Sequence, residues 1–167
     1  DVRVLLFADP GRLSADAAVN LGIAKALGIE VVEVPGDDLA VLDAALESEP
    51  PDVVIDALLG TGIDRPLGGR LARVAERVAA SAATVVAVDV PTGLSGSSAE
   101  VPGPVLPADL TVTFGALKVC HVVPPACLKC GDLAVVDIGI PWQTLEGGCS
   151  LWWSEREDAA LLLPDRR

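Results

Sequence analysis

The sequence predicts an α/β protein, a three-layer αβα sandwich built on a mostly parallel sheet. Three observations predict it. Runs such as Val53-Val54-Ile55 and Thr84-Val85-Val86-Ala87-Val88 are short, β-branched and apolar throughout, as strands covered on both faces must be. From Val2 to Val90 such runs alternate with segments whose apolar residues recur at helical spacing, which calls for a parallel sheet with helical crossovers. The composition is 51% hydrophobic yet holds only three Trp, two Phe and no Tyr, so the core between the layers must be Val, Leu, Ile and Ala. A chain of 167 residues suffices for one domain that buries roughly 70% of its unfolded surface.

Val2-Arg3-Val4-Leu5-Leu6-Phe7 is the first strand, stopped by the turn residues Asp9-Pro10-Gly11. Ser14 is a good helix N-cap, and Asp16 lies in the first turn, where the helix dipole favours a negative charge. That helix carries Val19, Ile23 and Leu27 on one face and stops at Gly28. Ile29 to Val34 alternates like a strand with one wet face, near the sheet edge. From Asp38 to Glu47 the residues Leu39, Leu42 and Leu46 share a helical face, closed by Glu49-Pro50-Pro51. Arg70 to Ala79 sets Leu71, Val74 and Val78 against Arg70, Arg73 and Arg77, an amphipathic helix. After the Thr84–Val90 strand comes a flexible loop, Pro91 to Ser98. Leu110–Phe114 and Leu133–Ile138 are further strands with no convincing helix between them, and their Pro-rich connection suggests a differently connected edge. The arrangement is Rossmann-like, with residues 1–150 as the domain and 151–167, where the chain turns charged, as a linker.

The sequence centres on Asp56-Ala-Leu-Leu-Gly-Thr-Gly-Ile-Asp-Arg-Pro-Leu-Gly-Gly69, a strand-to-helix loop with four glycines, a carboxylate at the strand end and one arginine. In an open α/β sheet, ligands bind outside the carboxyl ends of the strands, where this loop must lie. Glycines let backbone approach a ligand, and a helix N-terminus presents free N–H groups to an anion. Two familiar readings fail: the G-x-G-x-x-G fingerprint would need glycine where Arg65 stands, and a P-loop needs Gly-Lys-Ser/Thr before its helix. A second strand ends on Asp89 and is followed by Thr92 and Gly93. If the two strands are neighbours, the carboxylates of Asp56 and Asp89 lie roughly 5–10 Å apart, beside a hydroxyl and backbone donors. Either aspartate alone reads better as a turn cap. The two together point to a site for a cation or a polar ligand.

The net charge of −12 argues against nucleic acid, whose binding rests on neutralising phosphates. No apolar run approaches the ~20 residues of a membrane span. An acidic domain can still hold a phosphorylated small molecule through backbone N–H groups and one or two cations. Cys120-His121 and Cys127-Leu-Lys-Cys130 admit a zinc reading, but the spacing is short and irregular and the neighbours are apolar. Reduced cysteines packed as small hydrophobes in a cytoplasmic protein are the better reading, with His121 structural. Lys118 is a candidate phosphate contact or a solvated surface lysine. The chain has no Met and begins at Asp1, which reads as a piece of a longer protein.

Four blocks occur in order. They are Asp56-Ala-Leu-Leu-Gly-Thr-Gly-Ile-Asp-Arg-Pro66, Val88-Asp-Val-Pro-Thr-Gly-Leu94, Thr111-Val-Thr-Phe-Gly-Ala-Leu-Lys118 and Asp137-Ile-Gly-Ile-Pro141. Together they resemble the YjeF N-terminal domain family, the NAD(P)H-hydrate epimerases, and Gly11 to Asn20 is similar to that family's second helix. The resemblance covers roughly residues 2–141. It implies epimerisation of the R and S forms of hydrated NADH and NADPH, with potassium as cofactor. Asp56 and Thr92 are then the implied potassium ligands. Gly60, Thr61, Gly62, Ile63, Asp64, Arg65, Pro66 and Asp89 are the implied contacts to the hydrated nucleotide; Lys118 is the candidate phosphate contact beside them, and Asp89 is the candidate catalytic acid/base.

The sequence departs from the family in three places. Thr92 stands where serine is usual, which keeps the oxygen. Lys118-Val-Cys120 replaces the usual Lys-Pro-Gly. The family's Asn/Gly-rich loop, another part of the ligand site, is expected before Asp1, so the fragment alone is expected to epimerise poorly. Leu161-Leu-Leu-Pro-Asp-Arg166 is similar to the linker that enters an ADP-dependent dehydratase domain, the implied C-terminal partner. A homo-oligomer is also expected. The rival readings are a catalytically inactive YjeF-like nucleotide-binding or dimerisation module, and an ordinary nicotinamide oxidoreductase, which the missing fingerprint disfavours.

Overall fold

A computed structural model describes residues 2–48, 50–63, 65–149, 151, 152 and 154. The chain runs β1 (Arg3–Leu6), α1 (Ala15–Ala26), β2 (Glu30–Glu33), α2 (Ala40–Glu47), β3 (Val53–Asp56), α3 (Gly69–Ala79) and β4 (Thr84–Val88). It continues through β5 (Leu110–Phe114), α4 (Val119–Val122), β6 (Asp132–Val136) and α5 (Trp142–Gly148). All strand pairings are parallel, so the fold is of the α/β class expected from the alternation of elements. The expected linker, 151–167, lies outside the described residues apart from 151, 152 and 154.

The strands form two sheets where one was expected: β1-β2, and β3-β4-β5-β6. Helix packing ties them together. Leu39 and Leu42 of α2 and Ala72, Val74, Ala75 and Val78 of α3 are buried with Val85 of β4 and Leu106. Leu5 of β1 and Val54 of β3 pack against that same cluster, so both sheets share one apolar layer. Each fully buried Val or Leu there contributes about 1.5–3 kcal/mol relative to exposure. Arg70, in the first turn of α3, adds a polar clasp. Its guanidinium donates to the carbonyl of Phe7 beyond β1 and to that of Val34 beyond β2, and it lies 5.0 Å over the Phe7 ring.

Register decides which face of each strand is covered. Val54 pairs with Val85 and Asp56 with Ala87, and Ala87 pairs with Thr111, so these residues share the face turned to α3. On the opposite face Val53 and Ile55 stay 49% and 58% exposed. Three local expectations are corrected. The Ser14 cap and the span of α1 are as anticipated, yet Val19, Ile23 and Leu27 are 62%, 51% and 74% exposed, since among the described residues nothing covers that stripe. The stretch read as a flexible loop, Pro91 to Ser98, is largely packed: Pro91, Thr92 and Leu94 are fully buried. Leu94 packs with Val90, Cys120, Ala126 and Cys130, Leu106 joins the α2–α3 layer, and Leu106 N–H donates to the Thr92 carbonyl at 2.9 Å. Finally, β6 pairs parallel to β5, reached through the single turn of α4 and a 3₁₀ turn at Ala126–Lys129, so the sheet has no differently connected edge there.

Candidate functional site

β3 and β4 are neighbours, so their carboxyl ends deliver Asp56 and Asp89 to the same edge of the sheet. The two aspartates meet different surroundings. Asp56 is 2% exposed. Its Oδ2 accepts from Thr92 N–H at 2.8 Å, and its Oδ1 accepts from the Thr92 hydroxyl at 2.7 Å and from Leu58 N–H at 3.3 Å. Leu59 N–H in turn donates to Thr92 Oγ1 at 3.2 Å, which stitches the loop after β3 to the loop after β4. Burial pushes the Asp56 carboxyl above its ordinary value, and the bonds from Thr92 and Leu58 only partly offset this.

Asp89 is more open and is held by cationic and hydroxyl donors. Lys118 Nζ donates to its Oδ1 at 2.6 Å and Thr113 Oγ1 at 2.9 Å. Burial alone would raise this carboxyl, but the bonds from Lys118 and Thr113 and the Lys118 charge hold it below the ordinary carboxylate range. It is therefore ionised at neutral pH. Asp89 is also the one non-glycine residue with positive φ among the described residues, at 70°. A 2.9 Å bond from Val90 N–H to the Val88 carbonyl spans it, the pattern of the rare positive-φ γ-turn. Such backbone costs about 1–3 kcal/mol and persists where its surroundings enforce it.

The remaining site residues cluster around this pair. Lys118 spends its three donors on Asp89, on Thr113 Oγ1 at 2.7 Å and on the Phe114 carbonyl at 3.0 Å. The structure thus places its ammonium in the carboxylate cluster. In the glycine loop Gly60, Thr61, Gly62, Arg65 and Pro66 are exposed and Ile63 is half-buried, while Asp64 lies outside the described residues. The loop leans on the others: a Cβ on Gly96 would meet Thr61 Cγ2 at 3.0 Å and Lys118 Cγ at 3.4 Å. Exposed backbone, an ionised carboxylate and a cation therefore share one rim.

Two members escaped the sequence reading. Thr113 lies on the buried face of β5 with Thr111, and the alternation Leu110-Thr-Val-Thr-Phe114 carried that signal, since two threonines turned inward need partners. His121, read as structural, accepts Lys118 N–H on Nδ1 at 3.0 Å and sets Nε2 3.0 Å from the Asp89 carbonyl. Burial holds its imidazole below the ordinary value, and the Lys118 charge adds to this. Cys120 and Cys130 are fully buried beside Val90 and Leu94. Their mutual hydrogen bond and burial push the Cys120 thiol up, so it stays protonated.

The donor chemistry fits a monovalent alkali cation at Asp56 and Thr92. A buried carboxylate has no cationic side chain beside it among the described residues, yet keeps lone pairs beyond its three donors. Carboxylate and hydroxyl oxygens suit a hard ion, and among the described residues no group of three His, Cys, Asp or Glu could hold a softer metal.

Known proteins resemble this chain over most of its length. The chain is 39% identical over 145 residues to the NAD(P)H-hydrate epimerase of Rhodopirellula baltica, covering 87% of this chain and 57% of that protein. It is 37% identical over 146 residues to the bifunctional NAD(P)H-hydrate repair enzyme Nnr of Thermofilum pendens, covering 87% of this chain and 28% of that protein. A third relative, the NAD(P)H-hydrate epimerase of Pirellula staleyi, is 35% identical over 146 residues, with 64% of its length covered. The chain thus spans between half and two thirds of the length of these two epimerases. The family model described as the YjeF-related protein N-terminus matches residues 1–120, and by that match the chain belongs to this family.

Proposed function

We propose that the chain carries the epimerase site of a nicotinamide-nucleotide repair enzyme, interconverting the R and S forms of hydrated NADH and NADPH. The observation that carries this reading is the ionised Asp89 bound to the Lys118 ammonium beside the exposed glycine loop. Inverting the hydrated C6 carbon requires its hydroxyl to leave as water and water to return on the other face, or the ring to open and close. Either route needs a proton delivered and taken back. The departing hydroxyl takes a proton from solvent, Asp89 accepts one from the incoming water and returns it to solvent, and the bond to Lys118 stabilises the carboxylate between transfers. The glycine loop, from Gly60 to Pro66, offers backbone N–H groups to the phosphates. Asp56 and Thr92 would hold potassium through the buried carboxylate and hydroxyl, and the ion would supply positive charge to the nucleotide.

Bifunctional relatives support a dehydratase domain as the partner that consumes the S form. A homo-oligomer in the cytoplasm completes the reading.

The test is R-to-S conversion of hydrated NADH by the full-length polypeptide, followed chromatographically in potassium and in lithium. Conversion should exceed the uncatalysed rate and be faster in potassium, and Asp56→Ala should erase that difference. No acceleration in either salt would overturn the epimerase reading. A potassium effect undiminished in D56A would leave Asp56 a turn residue. An inactive binding module would bind the nucleotide without converting it.

A further inference from the structure

We propose that His121 is a positioning residue: its Nε2–H holds the Asp89 carbonyl, and with it the left-handed turn that aims the Asp89 carboxylate at Lys118 and Thr113. The catalytic consequence rests on the epimerase reading given above; the contact itself does not.

The direction of each hydrogen bond follows from chemistry. The Lys118 backbone N–H can only donate, and it meets His121 Nδ1 at 3.0 Å, so Nδ1 is the unprotonated nitrogen. The proton of the neutral ring is then on Nε2, 3.0 Å from the Asp89 carbonyl, which can only accept. An imidazolium would set N–H against N–H at Lys118. The ring is 3% exposed, so water cannot substitute for either partner.

These contacts close a ring of three residues. Lys118 backbone orients the imidazole, the imidazole holds Asp89 backbone, and the Asp89 carboxylate returns to Lys118 Nζ at 2.6 Å. The ring acts where enforcement is needed, because Asp89 takes a φ that side chains other than glycine seldom adopt. Its N–H is already committed to the Val112 carbonyl at 2.8 Å, so the carbonyl is the remaining handle on the turn. With both nitrogens engaged, His121 has none left for substrate, and its role is to place Asp89.

The experiment uses the full-length polypeptide with wild-type His121, His121→Gln, which keeps an N–H donor on a side chain of similar reach, and His121→Leu, which removes it. Nitrogen-15 NMR of the wild-type imidazole at neutral pH should show Nε2 protonated and Nδ1 bare. H121L should shift the Asp89 and Val90 amide resonances. It should also slow single-turnover epimerisation of saturating hydrated NADH by on the order of 10- to 100-fold, the penalty of a misplaced catalytic group, with affinity little changed. H121Q should recover most of that rate. A ring protonated on Nδ1 would overturn the proposal, as would a folded H121L with wild-type amide shifts and rate. If wild type fails to epimerise hydrated NADH, the epimerase reading falls alone, because the tautomer and amide shifts still decide the contact. If H121L does not fold, the wild-type tautomer and the H121Q amide shifts decide it.

Discussion

Asp56 and Asp89 stand at the ends of adjacent strands, yet their surroundings push the two carboxyls in opposite directions. Asp56 is buried among neutral donors and is raised; Asp89 is bound by an ammonium and a hydroxyl and is lowered. On the proposed reading the two take different tasks, a cation cradle and a base. Asp89→Asn keeps size and most hydrogen bonds but removes the basic oxygen, so turnover of bound ligand should fall about 10²- to 10⁴-fold with a much smaller change in affinity. Single-turnover kinetics at saturating ligand separates rate from binding, and a loss confined to affinity would make Asp89 a binding residue. His121 adds a pH signature. Its folded value lies below the ordinary 6.5, so as pH falls the unfolded chain takes the proton first. Its contribution to stability is therefore complete above 6.5 and declines as pH drops below that value. Urea midpoints of wild type should fall from neutral pH to mildly acidic pH, and those of H121Q should fall less. Both proteins share Asp56, whose raised value acts in the opposite sense, so the difference isolates His121. Equal declines would assign the effect to another group.

At the scale of elements, the connection between β4 and β5 replaces a helix with packed loop. Parallel neighbours need a long crossover, usually helical, because the chain must return across the sheet. Here Leu94 and Leu106 supply the buried apolar surface, and Gly93 permits the close approach between the two arms of the loop. Gly93 has a φ of 107°, and a Cβ there would lie 2.4 Å from the Pro104 carbonyl oxygen. Gly93→Ala should therefore destabilise the fold by about 2–4 kcal/mol, from strained backbone and displaced loop together. Because Thr92 precedes it, the variant should, on the proposed reading, also weaken any preference for potassium over lithium. Chemical denaturation measures the first effect, and an alanine variant as stable as wild type would show that the arms can separate at little cost.

Across the whole molecule, two parallel sheets behave as one body because they share a helical layer and the Arg70 clasp. That guanidinium bridges the carbonyl ends of β1 and β2 from the first turn of α3, while its Nε is buried without a partner. Hydrogen bonds to a charged donor are worth about 1.5–3 kcal/mol each, which exceeds the cost of leaving one N–H unpaired by only a small margin. Arg70→Leu should therefore cost about 1–3 kcal/mol, concentrated in the smaller sheet. Hydrogen exchange should quicken in β1 and β2 while β3 to β6 keep their protection, since local opening follows the weakest contacts. Uniform loss of protection would mean that the sheets unfold as a single unit regardless of the clasp.

Sequence alone determined the six strands, helices α1 to α3, their order and the parallel α/β class, because periodicity and β-branched runs report which faces each segment buries. It also singled out Asp56, Asp89, Thr92 and the glycine loop, since a carboxylate ending an apolar strand is conspicuous in one dimension. What it left undecided were facts of pairing between distant segments. Only the folded chain divides the strands into two sheets, leaves the Val19-Ile23-Leu27 stripe uncovered and buries the loop after Asp89. Only there does Lys118 turn its ammonium onto Asp89, and only there do Thr113 and His121 join the site. Those outcomes depend on contacts between segments tens of residues apart, where a hydrogen bond's direction and a side chain's burial are set by three-dimensional neighbours that local spacing does not encode.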